Sequence, residues 1–148
     1  MALINRVRRV YAASTILAVT LFAFHSFVLV ETGHLLLKYD LPLIHFLGMH
    51  ISDTLLLLTA FAILYVTHFL ESVAWVLLFL RIGEFKSLDD AIYFTGTSLT
   101  ALGYGDITLK GPWRRLGPVM ATNGILLYGC STAFLFMVIH KVWLNAGS

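Results

Sequence analysis

Residues 87–106 read SLDDAIYFTGTSLTALGYGD and join a short apolar helix to a glycine-rich strand. The pattern predicts a helix over Leu88–Leu99. At about 1.5 Å per residue, this helix is too short to cross a bilayer core of about 30 Å. The glycines within residues 102–105 disfavour further helix, so we expect the chain to turn back after Leu99.

The rest of the chain has the composition of a membrane protein. Of its 148 residues, 59% are hydrophobic and 12% are charged, whereas soluble domains average about 45–50% apolar and about 25% charged residues. A single cysteine, Cys130, excludes a disulfide scaffold, and the composition also excludes a disordered chain and a nucleic-acid-binding domain. The sequence therefore predicts an integral membrane protein, with the lipid bilayer as a partner.

Long apolar runs place the helices that cross the membrane. We expect spanning helices over residues 11–30, 53–80 and 116–143. Asp53 is the predicted N-cap of the second span, and Ser87 opens the short helix with the spacing of a capping box. The predicted fold class is thus an all-α membrane protein, with three spanning helices and one re-entrant short helix.

Residues 31–50 form a segment of mixed character. They are apolar but include three charged residues and Pro42, which favours an interfacial or re-entrant segment over a span. A fourth crossing through residues 34–49 is the alternative. On this basis the chain divides into an N-terminal part, residues 1–50, and a second part, residues 51–148, that holds the short helix and the two spans around it.

The short helix and the glycines together suit a cation. A helix that enters the membrane by its N-terminal end directs its C-terminal end, with roughly half a negative charge, at the bilayer centre. Gly103 and Gly105 permit backbone angles that are closed to other residues, so successive carbonyls can face one axis. Several copies around that axis would form stacked oxygen rings that replace the hydration shell of an ion.

The sequence resembles the pore module of potassium channels, in particular small bacterial channels with one pore loop per subunit. The likeness covers residues 53–143 and rests on three stretches, namely Ala91-Ile-Tyr-Phe94, Thr100-Ala-Leu-Gly-Tyr-Gly-Asp106 and Trp113-Arg-Arg115. The resemblance implies a homotetramer in the inner membrane around one central pore. It implies passive conduction of K+, with no enzymatic chemistry, no cofactor and no small-molecule substrate.

What the resemblance implies for single residues follows their positions in the motif. The selectivity filter comprises Thr100, Ala101, Leu102, Gly103, Tyr104 and Gly105. The ions are bound through the carbonyls of Ala101, Leu102, Gly103 and Tyr104. Asp106 lies at the pore mouth, where its charge attracts cations, and Tyr93 and Phe94 of the short helix support the filter.

Polar and small residues of the last predicted span have two possible roles each. Gly124 and Gly129 are candidate gating hinges, and close helix packing is the alternative. Asn123, Ser131 and Thr132 either face an aqueous cavity or form hydrogen bonds between helices.

One filter position departs from the family pattern. The family usually has a threonine directly before the hydrophobic residue of the Gly-Tyr-Gly motif, and its hydroxyl completes the innermost ion site. Here that residue is Ala101, which offers a carbonyl but no hydroxyl. A poorly selective cation channel is therefore one alternative, and a non-conducting membrane protein with the pore fold is another.

Ionisable residues inside spans are functional candidates by default. One face of the second span carries His68, Glu71 and Trp75. Glu71 could support the filter by bracing the short helix. Alternatively, His68 and Glu71 could form a structural pair, sense pH or bind a metal. The other histidines, at positions 25, 34, 45, 50 and 140, raise a haem-binding electron carrier as an alternative of another class. No helix pairs them at metal-ligand spacing.

Two arguments about topology conflict. In channels of this kind the filter opens outward, which places residues 81–115 outside the cell. These residues carry five Lys or Arg, and the positive-inside rule favours the cytoplasm for them. With three spans the arginines at positions 6, 8 and 9 lie on that same side, so the location of the N-terminus stays open.

Overall fold

The computed structural model describes residues 1–38 and 49–146. Helix α1 covers Ala2–Gly33 and continues into a π-helical turn, His34–Lys38. Helix α2 covers Met49–Ile82, the short helix α3 covers Leu88–Leu99, a 3-10 turn covers Gly111–Arg115, and helix α4 covers Leu116–Ala146. Residues 39–48, which include His45 and half of the segment predicted to be interfacial, lie outside the described residues.

Within residues 1–38 and 49–146, three helices are long and apolar enough to cross a membrane. They span Ile4–Leu36, Asp53–Ile82 and Gly111–Leu144. The prediction of an all-α membrane protein is confirmed, and α3 has the predicted bounds. The long helices extend beyond the predicted ends because backbone polar groups in an apolar environment are best satisfied within a helix.

Of the two predicted helix caps, Asp53 is wrong, and Ser87 lies at the predicted position without the side-chain bond. Asp53 lies inside α2, which begins one turn earlier at Met49, because no glycine or proline interrupts that turn. Ser87 does occupy the N-cap position of α3, but its hydroxyl makes no capping hydrogen bond. The charges of Asp89 and Asp90 in the first turn favour the N-terminal end of α3 instead.

Contacts group the helices into two units, and the first comprises Met1–Ala23 with Phe69–Leu127. Its centre holds a cluster of aromatic rings contributed by α2, the α2–α3 connection and α3. Phe79 packs edge-on against Phe94 with ring centroids 5.3 Å apart, and Phe85 lies at the same distance from Phe94. Trp75 stacks on Phe79 and is fully buried. Burial of this cluster anchors α3 against α2.

The second unit comprises Phe24–His68 with Tyr128–Ser148. Its apolar core consists of Leu36, Leu56, Ala60, Leu64, Phe134 and Val138. A polar group also lies within this unit, since His25 is fully buried and Ser131 is 6% exposed.

Candidate functional site: the segment after α3

The segment that follows α3 is attached to the last turn of that helix by main-chain hydrogen bonds. The Ala101 N–H donates to the Ser98 carbonyl at 3.1 Å, and the Gly103 N–H donates to the Thr97 carbonyl at 3.0 Å. Thr100 is the C-cap of α3, and its hydroxyl donates to the Gly96 carbonyl at 2.7 Å. The start of residues 100–105 is therefore held by α3 itself.

Every second residue of this segment has a positive φ. The φ angles are +57° at Ala101, +50° at Gly103 and +82° at Gly105. In the described part of the chain, Ala101 is the only residue other than glycine with a positive φ. An L-residue in this region costs about 1–2 kcal/mol, and such strain is typical of functional segments.

A hydrogen bond connects α3 to the residue after the glycines. The Tyr93 hydroxyl donates to Asp106 Oδ2 at 2.7 Å. This bond lowers the pKa of Asp106 below its ordinary value of 3.8 and raises the pKa of Tyr93 above 10.0. Each pKa moves away from neutrality, so the phenol stays protonated and the carboxylate stays ionised across the physiological range.

Tyr93→Phe is expected to lower stability at neutral pH and to flatten its decline in acid. In the wild type, the stability due to ionised Asp106 is present above pH 3.8 and is lost as the pH falls through the lowered pKa. Without the phenol, the pKa of Asp106 rises toward its ordinary value, so the variant lacks this contribution at neutral pH and the stabilities of the two proteins converge as the pH falls below 3.8. The measurement is thermal stability against pH, with Tyr65→Phe, an exposed tyrosine of α2, as the matched control. Identical profiles for Tyr93→Phe and the wild type would contradict a role for this bond.

A second contact fastens the chain beyond Asp106. The Lys110 N–H donates to Glu84 Oε1 at 2.6 Å, which ties the loop after the glycines to the α2–α3 connection. Together with the Tyr93 bond, it holds residues 106–110 at both ends.

The residues predicted to support residues 100–105 differ in burial and in the contacts that they make. Phe94 is 6% exposed within the aromatic cluster, whereas Tyr93 is exposed and reaches Asp106. Glu71 is buried, with 1% exposure. The Thr97 hydroxyl donates within α3, to the Tyr93 carbonyl at 3.0 Å. A bracing role for Glu71 stays a prediction.

The two glycines of α4 have different surroundings. A Cβ at Gly124 would overlap the carbonyl oxygen of Leu99, the last residue of α3. A Cβ at Gly129 would meet no described atom within 4 Å. Helix α4 is continuous through both positions. Gly124 therefore has a packing role, and a hinge role for either glycine stays a prediction.

Asn123 forms hydrogen bonds between helices, which is one of its two predicted roles, and its partners lie on α2 and α1. Asn123 accepts a hydrogen bond from Trp75 Nε1 at 3.4 Å and donates to the Ala18 carbonyl at 3.2 Å, so it joins three helices. This outcome favours the interhelical reading of Asn123. Thr132, by contrast, is exposed and bonds the Tyr128 carbonyl within its own helix.

The first turns of α1 lie beside the loops that flank α3. Arg6 donates to the Ile82 carbonyl at 3.2 Å, and its guanidinium lies 5.9 Å from the ring centroid of Trp113. The Tyr11 hydroxyl donates to the Pro112 carbonyl at 2.6 Å. The N-terminal end of α1 and residues 82–115 are thus near neighbours, and no local sequence pattern indicates these contacts.

Comparison with known proteins agrees with this geometry. The family model described as "Ion channel" matches residues 54–141, which is more than half of the chain, and the chain belongs to this family. The match begins in α2, includes α3 and the glycine-rich segment, and ends in α4. The resemblance to small channels of the potassium-channel type is thereby confirmed as a family assignment. None of the curated proteins and none of the solved structures matches the chain.

Proposed function

We propose that the chain is one subunit of a homotetrameric channel of the inner membrane that passes monovalent cations and favours K+. The alternation of φ sign along residues 101–105 carries this proposal. Alternating right- and left-handed backbone aligns successive N–H groups on one side of the chain and leaves the carbonyls on the other. The carbonyls of Ala101, Leu102, Gly103 and Tyr104 then line the axis and replace the hydration shell of K+.

The exposure of two filter side chains in the single chain supports assembly of several chains around an axis. Leu102 is 56% exposed and Tyr104 is 67% exposed, although both follow a helix that is anchored in the apolar core. Irregular backbone at membrane depth is tolerated only against protein or a water-filled path. Four copies provide both, because each chain supplies one wall of the filter and packs against the next.

Asp106 and the end of α3 supply the electrostatics of this pore. The C-terminal end of α3 directs its negative dipole end toward the proposed cation path. The lowered pKa of Asp106 keeps its carboxylate ionised at the filter mouth, where it raises the local cation concentration. Conduction along the electrochemical gradient needs no covalent chemistry and no cofactor.

A poorly selective channel is the second candidate, and Ala101 is the observation that favours it. Its carbonyl is present, but the hydroxyl that would complete the innermost ion site is absent. Flux of K+ and of Na+ into liposomes that contain only this protein separates the readings. Faster K+ flux supports the proposal, equal fluxes support poor selectivity, and absence of both fluxes supports a non-conducting protein.

Cysteines at two positions are expected to share one side of the membrane. In a Cys130→Ala background, Ile4→Cys and Lys110→Cys introduce exposed thiols at the N-terminal end of α1 and in the loop after the glycines. Because Arg6 and Tyr11 bind residues 82 and 112, we expect an impermeant thiol reagent to label both positions in intact cells.

The labelling pattern also determines the direction of the filter. Labelling of one position alone would contradict the shared side. Protection of both positions would place the proposed filter mouth toward the cytoplasm, as the positive-inside rule favours for the arginines and lysines at this end. That result would overturn the outward orientation while leaving the pore intact.

A further inference from the structure

A buried hydrogen-bonded group joins helices α1, α2 and α4 within the second unit. The Ser131 hydroxyl lies 3.0 Å from His25 Nε2 and 2.9 Å from His68 Nε2. His25 is fully buried and Ser131 is 6% exposed. The two imidazole rings lie against each other with centroids 5.1 Å apart, and the Tyr128 ring covers His68 at 4.3 Å.

Both Nε2 atoms are directed at one point. A serine hydroxyl carries one proton, so it can donate to one of the two imidazoles and accept from the other. In that arrangement one Nε2 lone pair points at the hydroxyl. If both rings carry their proton on Nδ1, both lone pairs point there, which is the arrangement that a metal ion requires.

We propose that His25 and His68 are imidazole ligands of a transition-metal site that binds Zn2+ or a similar ion. Their ligand atoms lie within 4.8 Å of each other. Two nitrogens bound to one tetrahedral Zn2+ at about 2.0–2.1 Å lie about 3.3 Å apart. A shift of less than about 1 Å by each imidazole ring closes this gap. The bound ion would then occupy the place of the Ser131 hydroxyl.

Other groups that can bind metals or protons lie close to His68 and Ser131 in the sequence. Glu71 follows His68 by one turn of α2 and is the nearest acidic residue along that helix, while Tyr128 and Cys130 precede Ser131 in the sequence of α4. Both imidazoles must be neutral to bind a metal, so protons compete with the ion for the two nitrogens. The site is separate from the glycine-rich segment and does not depend on conduction.

The test uses the full chain, purified without a polyhistidine tag. Titration with Zn2+ is expected to show saturable binding, and Co2+ is expected to give the visible absorption bands of nitrogen coordination. His25→Gln and His68→Gln keep a hydrogen-bonding partner for Ser131 but remove an imidazole, so each is expected to weaken Zn2+ binding by about 100-fold or more. His140→Gln, an exposed histidine of α4, is the matched control and should bind as the wild type does.

A second measurement guards against variants that fail to fold. Zn2+ should raise the unfolding temperature of the wild type and of His140→Gln, but not that of the two variants at residues 25 and 68. Absence of saturable binding by the wild type would overturn the proposal. Equal binding by all three variants would overturn it as well, because it would place the metal on other ligands.

Discussion

Gly103→Ala is expected to abolish the discrimination of K+ from Na+. Gly103 has a φ of +50°, and a side chain in this region costs about 1–2 kcal/mol for each residue. In the proposed tetramer the cost recurs in four chains, about 4–8 kcal/mol in all. A Cβ at Gly103 would meet no described atom within 4 Å, so the expected effect comes from the backbone conformation and not from a steric overlap in this chain.

The readout is the ratio of K+ to Na+ flux in liposomes, compared with helical content by circular dichroism. We expect the helices to form, because residue 103 lies outside all the described helices. The alanine variant relaxes toward negative φ, which rotates the peptide planes on either side of residue 103 and removes their carbonyls from the shared direction.

Gly96→Ala is the matched control. Gly96 lies inside α3, and a Cβ there would also meet no described atom within 4 Å. Alanine is favoured over glycine in a helix by about 1 kcal/mol, so this variant should keep its selectivity and gain stability. If Gly103→Ala discriminates between K+ and Na+ as Gly96→Ala does, residues 101–105 are not the filter.

Gly124→Ala is expected to lower the free energy of unfolding by about 1–3 kcal/mol for each chain, the range for overpacking in a dense core. The methyl group would overlap the main chain of Leu99, including its carbonyl oxygen. Main-chain atoms cannot rotate away as a flexible side chain can, so α4 and the end of α3 must separate. Because Leu99 directly precedes the glycine-rich segment, conduction should fall together with stability.

Gly129→Ala provides the comparison within the same helix. No described atom lies within 4 Å of a Cβ at this position, so the variant should equal or exceed the wild type in stability. Thermal unfolding in detergent measures both changes. A drop in stability for Gly129→Ala equal to that for Gly124→Ala would show that loss of helix flexibility, and not contact with Leu99, is responsible. Altered gating in a stable Gly129→Ala would identify residue 129 as a hinge.

The departure at Ala101 has a different meaning once the backbone is known. From the sequence, alanine at this position predicts the loss of a hydroxyl from the innermost ion site. The structure adds that residue 101 has a φ of +57°, a conformation that is especially unfavourable for β-branched residues such as threonine. Restoring threonine here therefore requires a change of backbone angle as well as a new side chain.

The sequence alone determined the class of protein and the order of its elements. The apolar runs and the short helix before Leu-Gly-Tyr-Gly are local signals, because span length follows bilayer thickness and glycine limits helix propagation. The bounds of α3 were therefore predictable from its own residues. Helix ends such as Met49 were not, since no capping signal marks them in an apolar environment.

Only the tertiary structure decided which distant residues meet. Ser131 bonds His25 across 106 residues and His68 across 63, and Gly124 contacts Leu99 on another helix. In a spanning helix nearly every face is apolar, so hydrophobic periodicity does not indicate which face packs against which neighbour. The low number of charged residues and their positions in the sequence were enough to indicate a membrane protein with a re-entrant segment. That two histidines distant in sequence share one serine hydroxyl follows only from the packing of the helices.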